Sequence, residues 1–164
     1  MYKHYCSKYY SPTINLQMSP NDYIKFCQNL NYYLNQDIIE VKNPDDSEFR
    51  KLGGGNITFP VGKLGDLIIY FQHFKTFNQA VSKWNERKQR INYDNMFFIL
   101  LDVNCSKNNV EDFLNLPYKN KIFLSNNKNL LIDKNCFYID FQGKAWFEST
   151  WKKQFNFKKW FLEN

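Results

Sequence analysis

Residues 66–102 read DLIIYFQHFKTFNQAVSKWNERKQRINYDNMFFILLD, and the order of apolar and polar runs within them decides the fold class. The runs LIIYF and FFILL are continuously apolar, the pattern of strands covered on both faces. Between them TFNQAVSKWNERKQR sets Phe77, Ala80, Val81 and Trp84 on one helical stripe behind Thr76, a residue suited to cap a helix. Buried strands alternating with capped helices predict a three-layer α/β domain, Rossmann-like, whose mostly parallel or mixed sheet holds both runs as central strands.

The flanks extend the pattern. SPNDYIKFCQNLNYYL, residues 19–34, offers Ser19 as N-cap, Pro20 at the first helical position and Tyr23, Phe26, Leu30 and Tyr33 at helical spacing. DIIEVK (37–42) and NITFPV (56–61) read as short strands, with loop or broken helix over 43–55. KNNVEDFLNL (107–116) reads as a short helix, and KIFL (121–124) and CFYIDF (136–141) as strands. A chain of 164 residues can bury one continuous core, so residues 1–164 are expected to form a single domain. With 16 Phe, 11 Tyr and 4 Trp, rings must fill much of that interior.

No run of about 18 apolar residues occurs, and MYKHYCSKYY has no apolar centre for a signal peptide. The expected location is therefore cytoplasmic. Cys6, Cys27, Cys105 and Cys136 are too widely spaced for a zinc set and read as free thiols in a reducing compartment. The net charge of +6 concentrates in residues 75–90, at +4, and 144–164, at +3, which suggests anionic partners if these are more than solvated helix faces.

In parallel sheets, ligands gather beyond the carboxyl ends of the strands. Gln72 and His73 follow the first apolar run, and Asp102, Asn104 and Cys105 follow the second. If the two strands are neighbours, His73 and Asp102 face each other as general base and orienting carboxylate. The plainer alternative has His73 capping the next helix and Asp102 starting a turn. Arg87 and Arg90, at i and i+3, can hold one phosphate or carboxylate between them, with Lys75 in the same basic stretch. Glu86 and Arg90, at i and i+4, offer a purely structural pairing, and Trp84 suits either the core or a stacked sugar.

Three blocks carry a family resemblance: SPTINLQMSPNDYIKFCQNLNYYL (11–34), FPVGKLGDLIIYFQHFKTFNQAVSKWNERKQRIN (59–92) and YDNMFFILLD (93–102). They resemble a bacterial domain family of unassigned molecular function found in exopolysaccharide and capsule biosynthesis loci. The resemblance covers most of residues 11–125. Its recurring features correspond here to Ser11, Pro12 and Thr13, to His73 at a strand end, and to the W-x-x-R-x-x-R helix of Trp84, Arg87 and Arg90. It implies a transferase-like or glycan-modifying role on an anionic sugar-containing substrate, a nucleotide sugar or lipid-linked diphosphate, with Ser11 and Thr13 also in the site; Asn104 is added as a substrate-binding candidate from its place in the turn after the second apolar run. Members of the family begin with a further strand and an Asn-Cys-Gly loop, so Cys6 is not equated with that cysteine. The competing expectation is a non-catalytic anion- or glycan-binding or regulatory subunit.

Absent motifs narrow the chemistry. There is no D-x-D metal motif, no phosphate cradle around KLGGGN and no G-x-S-x-G elbow. Neither a metal nor another cofactor is expected, nor specific nucleic-acid recognition. In residues 144–164, Phe147, Trp151 and Phe155 recur every four residues beside Lys152, Lys153, Lys158 and Lys159. Such a helix either clamps the sheet or lies against the inner face of an anionic membrane. Oligomeric state is not legible.

Overall fold

The structure, a computed structural model, describes residues 11–140 and 154–163. The protein is α/β, with two three-stranded sheets and flanking helices. Its chain divides between Met96 and Phe97 into two compact units, each considered in turn.

In the first unit, helix α1 (Pro20–Gln28) starts as its sequence requires, with Ser19 Oγ accepting from the Asp22 amide at 3.0 Å. Asn29 interrupts the helix, and α2 (Leu30–Leu34) completes the stretch that periodicity reads as one helix. Helix α3 (Asp46–Lys51) follows strand β1 (Ile38–Glu40). Strands β2 (Val61–Leu64) and β3 (Leu67–Tyr70) form a hairpin, with Leu64 opposite Leu67. Its two-residue turn is Gly65-Asp66, and Gly65 takes a φ of +61°, which glycine adopts without steric cost. Asp66 is held there by Lys25 and by the Tyr33 hydroxyl, which donates to it at 2.8 Å. Burial, and then the Asp66 carboxylate, push the Tyr33 phenol up to about 12.

This sheet runs β1-β2-β3 and is antiparallel throughout. Gln17 adds an antiparallel bridge beyond β3, exchanging two backbone hydrogen bonds of 2.9 Å with Tyr70. Leu67 and Ile69 are fully buried on one face of β3, while Tyr70, on the other, packs its ring 4.8 Å from Phe49 of α3. The strand therefore reads as continuously apolar because it is covered on both faces, without being parallel. Helix α4 (Phe77–Lys88) is capped by Thr76, whose hydroxyl accepts from the Gln79 amide at 3.3 Å.

In the second unit, β4 (Phe98–Leu101), β5 (Lys121–Ser125) and β6 (Cys136–Tyr138) form a parallel sheet in chain order. Helix α5 (Lys107–Leu114) connects the first two strands, with a capping box between Ser106 and Asn109 and with Val110 and Phe113 buried. Ile122, Leu124, Ile139 and Phe155 form a core against which Phe157 and Trp160 of α6 (Phe157–Glu163) pack.

Two expectations change. The runs at 66–72 and 96–102 do not share a sheet: β3 pairs with β2 and β4 with β5. Apolar runs report burial, whereas strand partners depend on turns and crossovers elsewhere in the chain. Phe155 meets the core as a clamping residue would, but from a bend before α6; Phe147 and Trp151, with Lys152 and Lys153, lie outside the described residues. No helix among the described residues is long and apolar enough to cross a membrane.

The close fit predicts two losses. A Cβ at Gly62 would lie 2.5 Å from Ile38 Cγ2 and 3.0 Å from Phe71 Cε2, so Gly62→Ala should cost about 1–3 kcal/mol by overpacking. Phe155→Ala should cost about 3–5 kcal/mol by leaving a cavity. Urea denaturation checks both; variants as stable as wild type would contradict the packing.

Candidate functional site

The residues singled out by chemistry separate into two places. In the first unit, the Ser11–Thr13 entry closes on itself: the two hydroxyls lie 2.8 Å apart, and Ser11 Oγ accepts from the Thr13 amide at 3.3 Å. The next residue, Ile14, presents its carbonyl to Arg87, whose Nη1 donates to it at 2.7 Å. Arg87 is only 6% exposed, and its guanidinium carbon stands 5.8 Å from the centre of the Phe74 ring. Thus Arg87 joins the entry segment, α4 and the turn after β3.

His73 occupies that turn. Phe74 donates its amide to the Phe71 carbonyl at 3.0 Å, and His73, between them, is exposed. The α4 cap is Thr76, so His73 does not fill that role. Trp84, one turn before Arg87, is 1% exposed and lies 6.0 Å from Phe26, ring centre to ring centre. It is a core residue and offers no face for a sugar. Arg90 pairs with Glu86, which also accepts from Lys83. Hydrogen bonds from Lys83 and then Arg90 hold the Glu86 carboxyl below the usual carboxylate range.

The two arginines therefore do not form a common clamp. Arg87 turns inward to a backbone carbonyl, and Arg90, in the turn after α4, bonds the Glu86 carboxylate of that helix. The helix ends at Lys88, before Arg90, and burial gives the two arginines different partners.

Lys75 belongs elsewhere on this unit. It borders an open groove of about 410 Å³ with Glu40, Lys42, Thr58, Phe59 and Phe77. Sequence reading singled out Lys75 and missed the rest, because the groove assembles the ends of β1, β2 and α4 with the loop before β2. Only its aromatic and basic composition gave a signal.

In the second unit, Asp102 follows β4. One carboxylate oxygen accepts from the Cys105 amide at 3.1 Å and the other from the hydroxyl of buried Ser125 at the end of β5. Asp102 thus starts a turn and ties together the carboxyl ends of two parallel strands. Asn104 occupies the left-handed region at φ +57°, which asparagine tolerates better than most residues. Burial, and then the Asp102 charge, push the Cys105 thiol up to about 12, so it does not act as a thiolate near neutral pH. Ser125 was missed; its position at the polar end of an apolar strand was the available signal. His73 and Asp102 follow strands of different sheets, so the neighbouring-strand basis for pairing them does not hold. Among the described residues, no three His, Cys, Asp or Glu side chains converge to hold a metal.

The arginines should differ in stability experiments. Arg87→Met strips the Ile14 carbonyl of a donor and should cost about 1–3 kcal/mol, whereas Arg90→Met, losing a surface pair, should cost less than about 1 kcal/mol. Urea denaturation of the two variants checks the ordering, and equal losses would contradict it.

Residues 1–162 match the family model described as a domain of unknown function (DUF1919). The chain is also 30% identical over 163 residues to an uncharacterized protein of Haemophilus influenzae, in an alignment covering 92% of this chain and 73% of that protein. With a family match spanning nearly all its residues, the chain belongs to the DUF1919 family.

Proposed function

We propose that the protein serves cell-surface glycan synthesis as a component that binds an anionic sugar-containing ligand without itself transferring a glycosyl group. The glycan setting rests on the resemblance to proteins of exopolysaccharide and capsule loci. The observation carrying the non-catalytic reading is the use made of the arginines. Arg87 supports the Ile14 carbonyl and Arg90 pairs with Glu86, so the two-arginine diphosphate clamp that would favour a transferase is not assembled. The basic balance of +6 favours encounter with anions.

A panel of nucleotide sugars, pyrophosphate and acidic sugars, screened by thermal shift and in parallel by chromatography for turnover, tests this reading. Some anionic sugar-containing compound should raise the unfolding midpoint, since binding only the folded state stabilises it by about 2.7 kcal/mol at a hundred times Kd. No product should form. Turnover lost in His73→Ala would restore the transferase reading, and an unmoved midpoint across the panel would remove the binding one.

A further inference from the structure

We propose that the groove bordered by Lys42 and Lys75 is the binding site for an acidic saccharide with one anionic group, a sugar ring bearing a carboxylate or a phosphate monoester. The inference rests on the binding function above and gives it a place and a ligand class. At about 410 Å³ the groove has the capacity of a small-molecule site.

Its two lysines belong to the described basic residues that no carboxylate holds in an ion pair. Lys25, Arg50, Lys51, Lys83, Arg90 and Lys107 all stand in ion pairs. Among the described residues, no ion pair joins Lys42 or Lys75 to a carboxylate, although Glu40 borders the same groove. Two ammonium groups and one carboxylate leave a local charge of about +1. A carboxylate balances that charge and a phosphate monoester, at about −1.5 to −2 near pH 7, exceeds it by no more than about one unit, whereas a diphosphate would place more excess negative charge beside Glu40.

The remaining lining suits a sugar ring. Phe59 is held edge-on by buried Phe49, with ring centres 5.1 Å apart and planes at 73°. Phe77 packs where Gly62 leaves room, since a Cβ there would stand 3.4 Å from its Cε2. These half-buried rings supply apolar surface for the C–H face of a pyranose. The Thr76 oxygen already accepts from Gln79, leaving its hydroxyl proton available to donate. Thr58 adds another hydroxyl, and Glu40 can accept from sugar hydroxyls.

The test titrates glucuronate, glucose 6-phosphate, glucose and pyrophosphate into 15N-labelled full-length protein. The same titrations use Lys42→Gln/Lys75→Gln and, as a control, Lys63→Gln, which changes an exposed lysine on β2 outside the groove lining. Glucuronate, glucose 6-phosphate or both should shift amides near residues 40–42, 58–59 and 75–77. Glucose should bind at least about tenfold more weakly, and the double variant should lose about tenfold or more in affinity, while Lys63→Gln retains it.

The two acidic sugars distinguish a carboxylated from a phosphorylated ligand. Unchanged acidic-sugar binding by the double variant would overturn the groove assignment while leaving the broader binding function standing. Equal binding of glucose, or tighter binding of pyrophosphate, would overturn the ligand class. Failure of this entire panel would overturn the proposed site; positive responses to other anionic sugar ligands in the earlier screen would still support the broader function.

Discussion

A guanidinium removed from water is costly unless its charge and donors are compensated, and Arg87 imposes this constraint on the first unit. Its hydrogen bond to Ile14 crosses 73 positions in sequence, and its charge lies over the Phe74 ring. The entry segment, the turn carrying His73 and α4 therefore form one arrangement. Lysine could retain the charge but not the planar fork that combines a directed bond with a ring contact.

Asp102 shows the same economy in the second unit with the opposite charge. A carboxylate at the end of β4 accepts from the next turn and from Ser125 at the end of β5. The register of two parallel strands is thereby reinforced where the sheet opens into loops. Sequence reading valued Arg87 and Asp102 for chemistry toward a ligand; in the fold, each has identifiable structural work within its own unit.

The helices were legible because their starting signals are local. Ser19, Thr76 and Ser106 each accept an amide from the first turn of the following helix. Sheet membership was less legible. Gly65-Asp66 between VGKL and LIIY is a hairpin signal, but the apolar continuity of 66–72 suggested a central strand shared with 96–102. Burial is encoded residue by residue, whereas pairing emerges from distant segments. The site followed the same division: Glu86–Arg90 was visible as a helical pair, but the Ile14 carbonyl carried no side-chain signal for its bond to Arg87.

The described cysteines give the protein a chemical temperament. Cys27 and Cys105 have thiols pushed up to about 12 by burial, and Cys136 is raised by the same cause. Oxidants and disulfides react with the thiolate, so scarcity of that form slows the first step of sulfur oxidation. Cys27 is buried, whereas Cys105 and Cys136 are partly exposed. For these three thiols the raised pKa keeps the thiolate fraction low near neutral pH, so attack on an oxidant or disulfide there is slowed at its first step.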